Sequence, residues 1–170
     1  MPKGLKETSS TVSIGFSVVE TAPNTFIQGS VDLNLSPLDR EVFVVQGIDL
    51  NPTAPDAIAG VDTATSCSLT TTSQTGVQTL ANSNCMADSV LNIRAAGFVD
   101  SGVGFARIAQ EAPATLLEYI GIIATNDFFV QLQGTANNLP KAVTGKLYGY
   151  RARADADIYS ALVQSEVLSA

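Results

Sequence analysis

The sequence predicts an all-β fold, a two-sheet antiparallel sandwich with one C-terminal helix, and three observations carry that prediction. Apolar and polar residues alternate along much of the chain, as in Val12, Ile14, Phe16 and Val18, or Ile27, Gly29, Val31, Leu33 and Leu35. A period of two puts one face of a strand in a core. The connections between these runs are polar, rich in turn residues and often long. The period changes once, at ADADIYSALVQSEVL, where Ile158 and Leu162 begin a helical stripe that Ser165 or Glu166 continues.

Residues 1–9 read as a flexible N-terminal arm, 10–154 as the sandwich and 155–170 as the helical terminus. The first strand is expected over 10–19, followed by a turn at Thr21-Ala22-Pro23-Asn24, where Pro and Asn supply a fixed and a tolerant φ. The second strand, IQGSVDLNLS over 27–36, has one dry face and one wet face. SPLD at 36–39 places a cap residue before Pro with an acid three positions on, so 36–41 reads as one helical turn that Val42 cannot extend. EVFVVQGIDL, 41–50, is a strand that looks dry on both faces, closed by Asn51-Pro52. Its outer face therefore needs cover from the terminal helix, a long loop or another subunit.

PDAIAG at 55–60 reads as a second short helical turn, and SCSLTTTSQ at 66–74 as a Thr-rich strand. Residues 75–86 lose all periodicity and read as a loop; 89–99 resume as strand before the glycine-rich DSGVGFA. The apolar run 114–125 fits strand or helix by length, and Gly121-Ile122-Ile123 tips it to strand. DFFVQLQ at 127–133 is a strand closed by GTANNLP, and 143–153 is a last long strand with Thr144, Lys146, Tyr148 and Tyr150 on one face. The helix is expected over 155–168, with Asp155 and Asp157 at the end where the macrodipole favours anions. About eight strands with long crossovers favour a single jelly roll over an immunoglobulin-like sandwich.

Charge and composition then exclude function classes. With 9 basic against 16 acidic residues the net charge is −7, too acidic for a surface that neutralises phosphates. Only 15% of residues are charged, against the usual one-quarter or so. That suits a surface covered by neighbours, and equally an ordinary sandwich with polar turns. TVSIGFSVV is too short and polar for a leader, and no run reaches the ~20 apolar residues of a membrane helix. The expectation is a soluble protein made in a cytoplasm. Cys67 and Cys85 read as reduced, packed thiols, or as one disulfide if they face each other across adjacent strands.

The chain contains no His, which removes the commonest general base and metal ligand together with any Ser-His-Asp or Cys-His arrangement of the usual form. No G-x-x-x-x-G-K-[ST] occurs, and GFVDSGVG lacks dinucleotide-fingerprint spacing. Asp155 with Asp157, or Asp49 with Asp56, are carboxylates calcium would accept, but no twelve-residue calcium loop surrounds them. YGYRAR, with Tyr148, Tyr150 and Arg151, is the one candidate stacking surface; its plainer reading is a strand face with Tyr hydroxyls at the water boundary. The chain is expected not to be an enzyme and to need no cofactor or metal.

VETAPNTFIQGSVDLNLSPLDREVFVVQGIDLNP and the close at KLYGYRARADADIYSALVQ resemble small jelly-roll capsid-type proteins of uncultured marine viruses, phage-like in kind. The sharpest part is NTFIQGSVDLNLSPLDREVFVV, a strand, a turn and a buried strand. The resemblance implies a virion subunit that builds a shell with copies of itself or other virion proteins. It brings no catalytic residues. The absence of an Arg-rich arm speaks against direct genome contact and fits a shell that overlies a membrane or another protein without inserting into the bilayer. The expected interface residues are Phe43, Val45, Tyr148, Tyr150, Ile158, Leu162 and Val163, with Val42 and Val44 the alternative pair on the 41–50 strand should they, and not Phe43 and Val45, face away from the core. A receptor- or glycan-binding module, and a decoration or tail component, are the alternatives.

Overall fold

A computed structural model describes residues 2–95, 102–107, 109–112 and 117–169. The chain forms strands β1 (Leu5–Glu7), β2 (Val12–Val19), β3 (Ile27–Asp32), β4 (Glu41–Pro52), β5 (Thr63–Thr70) and β6 (Cys85–Arg94). These are followed by β7 (Val103–Arg107), β8 (Ala109–Glu111), β9 (Gly121–Ile123), β10 (Asp127–Thr135), β11 (Ala142–Ala154) and helix α1 (Ala156–Leu168). Sheet one runs β2–β11–β4–β9, and sheet two runs β3–β10–β5–β6–β7. β1 extends the β2 edge along β11, and β8 extends the β9 edge along β4. All these pairings are antiparallel. Strands distant in sequence sit side by side while β2, β3, β4 and β5 alternate between sheets. That ordering is a jelly roll.

The core between the sheets is built from the expected faces. Ile14, Phe16 and Val18 of β2 meet Phe128, Val130 and Leu132 of β10, with Phe43, Leu50, Leu69 and Leu147 among them. The Phe16 and Phe128 rings meet edge to face at 5.7 Å, a geometry the ring quadrupoles favour. Gly145 and Gly149 make room for aromatic rings: a Cβ there would lie 2.7 Å from Phe16 and 2.6 Å from Phe43, respectively.

The two dry faces of β4 have separate covers. Phe43, Val45, Ile48 and Leu50 enter the inter-sheet core. Val42 and Val44 point the other way, into a second cluster with Leu5, Tyr150 and Ala152 beneath Ile158 and Leu162 of α1. The core positions switch from odd to even numbers because Tyr148 pairs with Gly47 and Gly149 with Val45. Gln46 is the extra residue of that bulge, and a bulge shifts the alternation by one.

Several expectations are corrected. Residues 5–7 of the supposed flexible arm are strand β1, paired with Ala152–Ala154 of β11. The segment 55–60 holds no helix; it is irregular up to a turn closed by Val61 N–H to the Ile58 carbonyl. The 36–41 segment is a hydrogen-bonded turn, with the Glu41 carboxylate, not Asp39, accepting the Ser36 N–H. The second strand stops at Asp32. Leu33 and Leu35 stay buried because Asn126 holds their amides through its carbonyl and Oδ1. The ends of the expected strands 89–99 and 114–125, at 96–99 and 114–116, lie outside the described residues, as do residues 100 and 101 of DSGVGFA.

Candidate functional site

The terminal helix forms because Ala156–Leu168 is free of Gly and Pro and carries Asp157 in its first turn. Ile158 and Leu162 lie on the face turned to sheet one, with Tyr159 and Val163 packed beside them. The next residue on that stripe is Glu166, and it is only 7% exposed. Its carboxylate accepts the N–H of Ala124 at 2.8 Å and of Thr125 at 3.1 Å. Asn84 donates to the Glu166 carbonyl at 3.2 Å. A buried carboxylate on a helix thus caps two backbone amides just after β9 and anchors the end of α1. Burial pushes its pKa up, against the opposing pull of the Ala124 and Thr125 hydrogen bonds.

The outer side of the helix is different. Tyr159, Val163, Val167 and Leu168 line an open groove of about 510 Å³, and Val167 and Leu168 are 59% and 78% exposed. A second exposed apolar feature is β7, the last strand of sheet two among the described residues, where Val103 and Phe105 are 46% and 56% exposed. Isolated exposed apolar residues are ordinary, but contiguous ones mark contacts.

At one end of the sandwich, three connections are tied into a single block. Asp56 Oδ1 meets Lys141 Nζ at 2.6 Å, while its Oδ2 accepts the N–H groups of Asn138 and Leu139. The Lys141 hydrogen bond, followed by that of Leu139, holds the Asp56 carboxyl below its ordinary range. Asn137 and Asn24 exchange side-chain and backbone bonds, and Glu20 accepts from Gly134 and Lys141. These carboxylates are engaged by amides and an ammonium, which makes the block a clamp. A catalytic pair would leave one of them accessible to substrate.

On the outer face of sheet two, Gln131 is fully buried and joins Gln28, Thr70 and Ser68. The connection 71–84 roofs this network through Gln74 N–H to Gln28 and Gln78 N–H to Ser68. Between that roof and the sheet lies a cleft of about 350 Å³ with Gln78, Asp88, Arg107, Gln133 and Thr135 on its walls. Arg107 and Asp88 pair there at 2.6 Å.

The expected interface residues are spread over these environments. Phe43 and Val45 are 1% and 0% exposed in the inter-sheet core, so they offer no surface to a neighbour. Val42 and Val44 are the residues of β4 that point away from that core, and the chain's own helix covers them. Tyr150 is buried in the same place, and burial raises its pKa, with Glu7 and Glu118 adding to the effect. Tyr148 is half-buried beside Thr11 and Gln46. Ile158, Leu162 and Val163 are half-buried against sheet one.

The cysteines lie on adjacent strands but out of step: Cys67 opposes Ser89 and Cys85 opposes Thr70. Three residues of strand is ~10 Å, beyond the Cα separation of a disulfide, so the cross-strand bridge does not arise. Asp155 and Asp157 stand at the helix start, and Asp49 stands opposite Lys146 in the register of β4 and β11. Among the described residues no three His, Cys, Asp or Glu side chains converge as a metal site, and no helix is long and apolar enough to cross a membrane.

Glu166 and the Asp56 clamp escaped the sequence reading. A charged residue four positions beyond Leu162, on an apolar stripe, was the available signal for Glu166. The clamp had none, because its members come from three separate connections.

The chain matches no protein-family model and no curated protein. Among solved structures it is similar to Desmodium yellow mottle tymovirus, at 12% identity over 92% of this chain and 95% of that one, with a TM-score of 0.29. It is also similar to turnip yellow mosaic virus, at 12% identity over 88% and 99%, with a TM-score of 0.27. At such scores the likeness carries no argument, and the jelly-roll assignment rests on the chain's own strand order, β2–β11–β4–β9 facing β3–β10–β5–β6.

Proposed function

We propose that this protein is a structural subunit of a virion, a jelly-roll shell protein that works by symmetric contacts with copies of itself and with other virion proteins. The observation that carries the reading is the jelly-roll strand order, an architecture used by capsid and lectin domains. The resemblance of NTFIQGSVDLNLSPLDREVFVV to capsid-type proteins of marine, phage-like viruses points the same way. The exposed apolar edge at Val167 and Leu168 supplies a contact surface that a folded subunit leaves open. A net charge of −7 favours contacts with protein over contacts with nucleic acid.

The test is light scattering after size exclusion, followed by negative-stain imaging of the purified chain. Shells or closed rings support the reading; a monomer at all concentrations counts against it.

One observation favours a second reading, a glycan-binding module. The cleft under the 76–79 roof is walled by amide, hydroxyl and charged side chains suited to sugar hydroxyls. A monomer that binds a glycan array, and loses binding in Gln133→Ala, would select it.

A further inference from the structure

Strand β2 lies at an edge of sheet one. Among the described residues it pairs with β11 alone, and no turn or loop backbone bonds to residues 12–19. Resting on the self-assembly reading above, we propose that β2 pairs antiparallel with β2 of a second copy across a two-fold axis. Sheet one of both subunits then becomes a single sheet.

The register shows which backbone groups are free. Glu20 donates its N–H to the Lys141 carbonyl at 2.9 Å, and the next carbonyl, that of Ala142, turns to Thr53 on β4's side at 2.8 Å. Hydrogen-bonded pairs alternate along an antiparallel ladder, so Val12, Ile14, Phe16 and Val18 bond to β11. Ser13, Gly15, Ser17 and Val19 therefore turn their N–H and C=O groups outward. Such a row of free donors and acceptors is a template for another strand.

Charge and burial select a second copy of this strand as its partner. No charged residue lies between Thr8 and Val19. The Glu20 carboxylate is buried, where it accepts the Gly134 and Lys141 amides. Edges that stay free are guarded by charge, Pro or a bulge, and residues 12–19 carry none of these. Two such strands thus meet with no like charges opposed. The core is also open on this flank. Ile14 and Phe16, with Ile27 and Val31 of the edge strand β3, are half-buried, whereas Phe43 and Phe128 are 1% and 0% exposed.

One register uses all the outward groups. Ser13 stands opposite Val19 of the second copy and Gly15 opposite its Ser17, with the axis at Phe16. It forms about eight backbone hydrogen bonds. The two Phe16 side chains face each other at a narrow pair, where cross-strand aromatic contact is favourable. One strand pair is a small contact beside the ~1,200 Å² of a standing interface. It closes once other contacts, such as that of the α1 rim, hold subunits together.

The test mixes two full-length variants, Ser13→Cys and Val19→Cys, at assembly concentration under mild oxidation, with the wild type imaged alongside. Both positions are exposed, and the native Cys67 and Cys85 are buried. In this register the new thiols sit on Cα atoms ~5.5 Å apart, within disulfide reach. Like positions lie ~20 Å apart. The expected result is a disulfide-linked dimer from the mixture, none from either variant alone, and loss of the dimer when Ser17→Pro is added to both. Ser17→Pro removes an outward donor and leaves the β11 bonds in place. Should it fail to fold, Gly15→Glu with Ser17→Glu opposes carboxylates across the axis and should abolish the dimer too.

No dimer from the mixture, a dimer from either variant alone, or a dimer that survives the blocking substitutions overturns the edge pairing. Shells imaged beside that result leave the shell reading standing. A linked dimer from a chain that forms no rings or shells keeps the edge pairing and removes the shell reading.

Discussion

Glu166→Gln tests whether one carboxylate holds the terminal helix against sheet one. Both carboxylate oxygens accept backbone amides, at 2.8 and 3.1 Å. Glutamine keeps a single acceptor, and its NH₂ must then face one of the two N–H groups. The side chain is 7% exposed, so water does not replace the lost partner. An unpaired buried donor costs about 1–3 kcal/mol. Part of this is offset, because the carboxylate is buried at a cost that the neutral amide avoids. The net expectation is about 1–2 kcal/mol, or roughly 2–8 °C in melting temperature for a domain of this size. Urea unfolding gives the free energy, and hydrogen exchange at the Ala124 and Thr125 amides gives the locality. Those two amides should lose protection ahead of the Phe128–Leu132 amides in β10. An unchanged midpoint with both amides still protected would refute the latch.

The remaining predictions test other parts of the fold. The Glu166 carboxyl has a pKa above its ordinary 4.5 in the folded chain, so the folded state binds more protons than the unfolded state between these two values. The contribution of Glu166, measured as wild type minus Glu166→Gln, should therefore fall as pH rises through that window in urea titrations; a rise would contradict the sign. Phe43→Ala, at a fully enclosed site between the sheets, should destabilise by about 3–5 kcal/mol in the same assay, and a loss under 1 kcal/mol would place Phe43 outside the core. Asp56→Asn should lower the melting temperature more than Asp62→Asn. Asp56 meets the buried Lys141 at 2.6 Å, whereas Asp62 meets an exposed Arg94 at 3.6 Å. Cys67, whose thiol burial pushes up to about 12, should resist iodoacetamide until the chain unfolds, and prompt labelling of the native protein would place it at the surface.

What the sequence conveyed, and what it withheld, follows from the range of the interactions. The period-two runs of β2 and β11 and the period change at Asp155 are local, so their cores and faces are legible from spacing alone. EVFVV showed that β4 is dry on both faces but not which face meets which cover. The answer depends on Gln46, a bulge residue that only pairing with β11 reveals. Strand β1 was hidden because three residues, Leu5–Glu7, gain strand geometry from a partner some 150 positions away. The same holds for the Asp56–Lys141 clamp and for Asn126, whose roles arise where distant connections converge. Glu166 was visible on the stripe, yet its partners, two backbone amides, have no sequence signature.

Assembly through the outer rim of α1 is the role proposed for this jelly roll. Val167→Lys with Leu168→Lys alters two exposed side chains that the core does not use. Light scattering and negative-stain imaging of wild type and this double variant, at equal melting temperature, test the claim directly. Rings or shells from the wild type and a monomer from the variant are the expected result. A monomeric wild type, or a variant that assembles as well as the wild type, would contradict it.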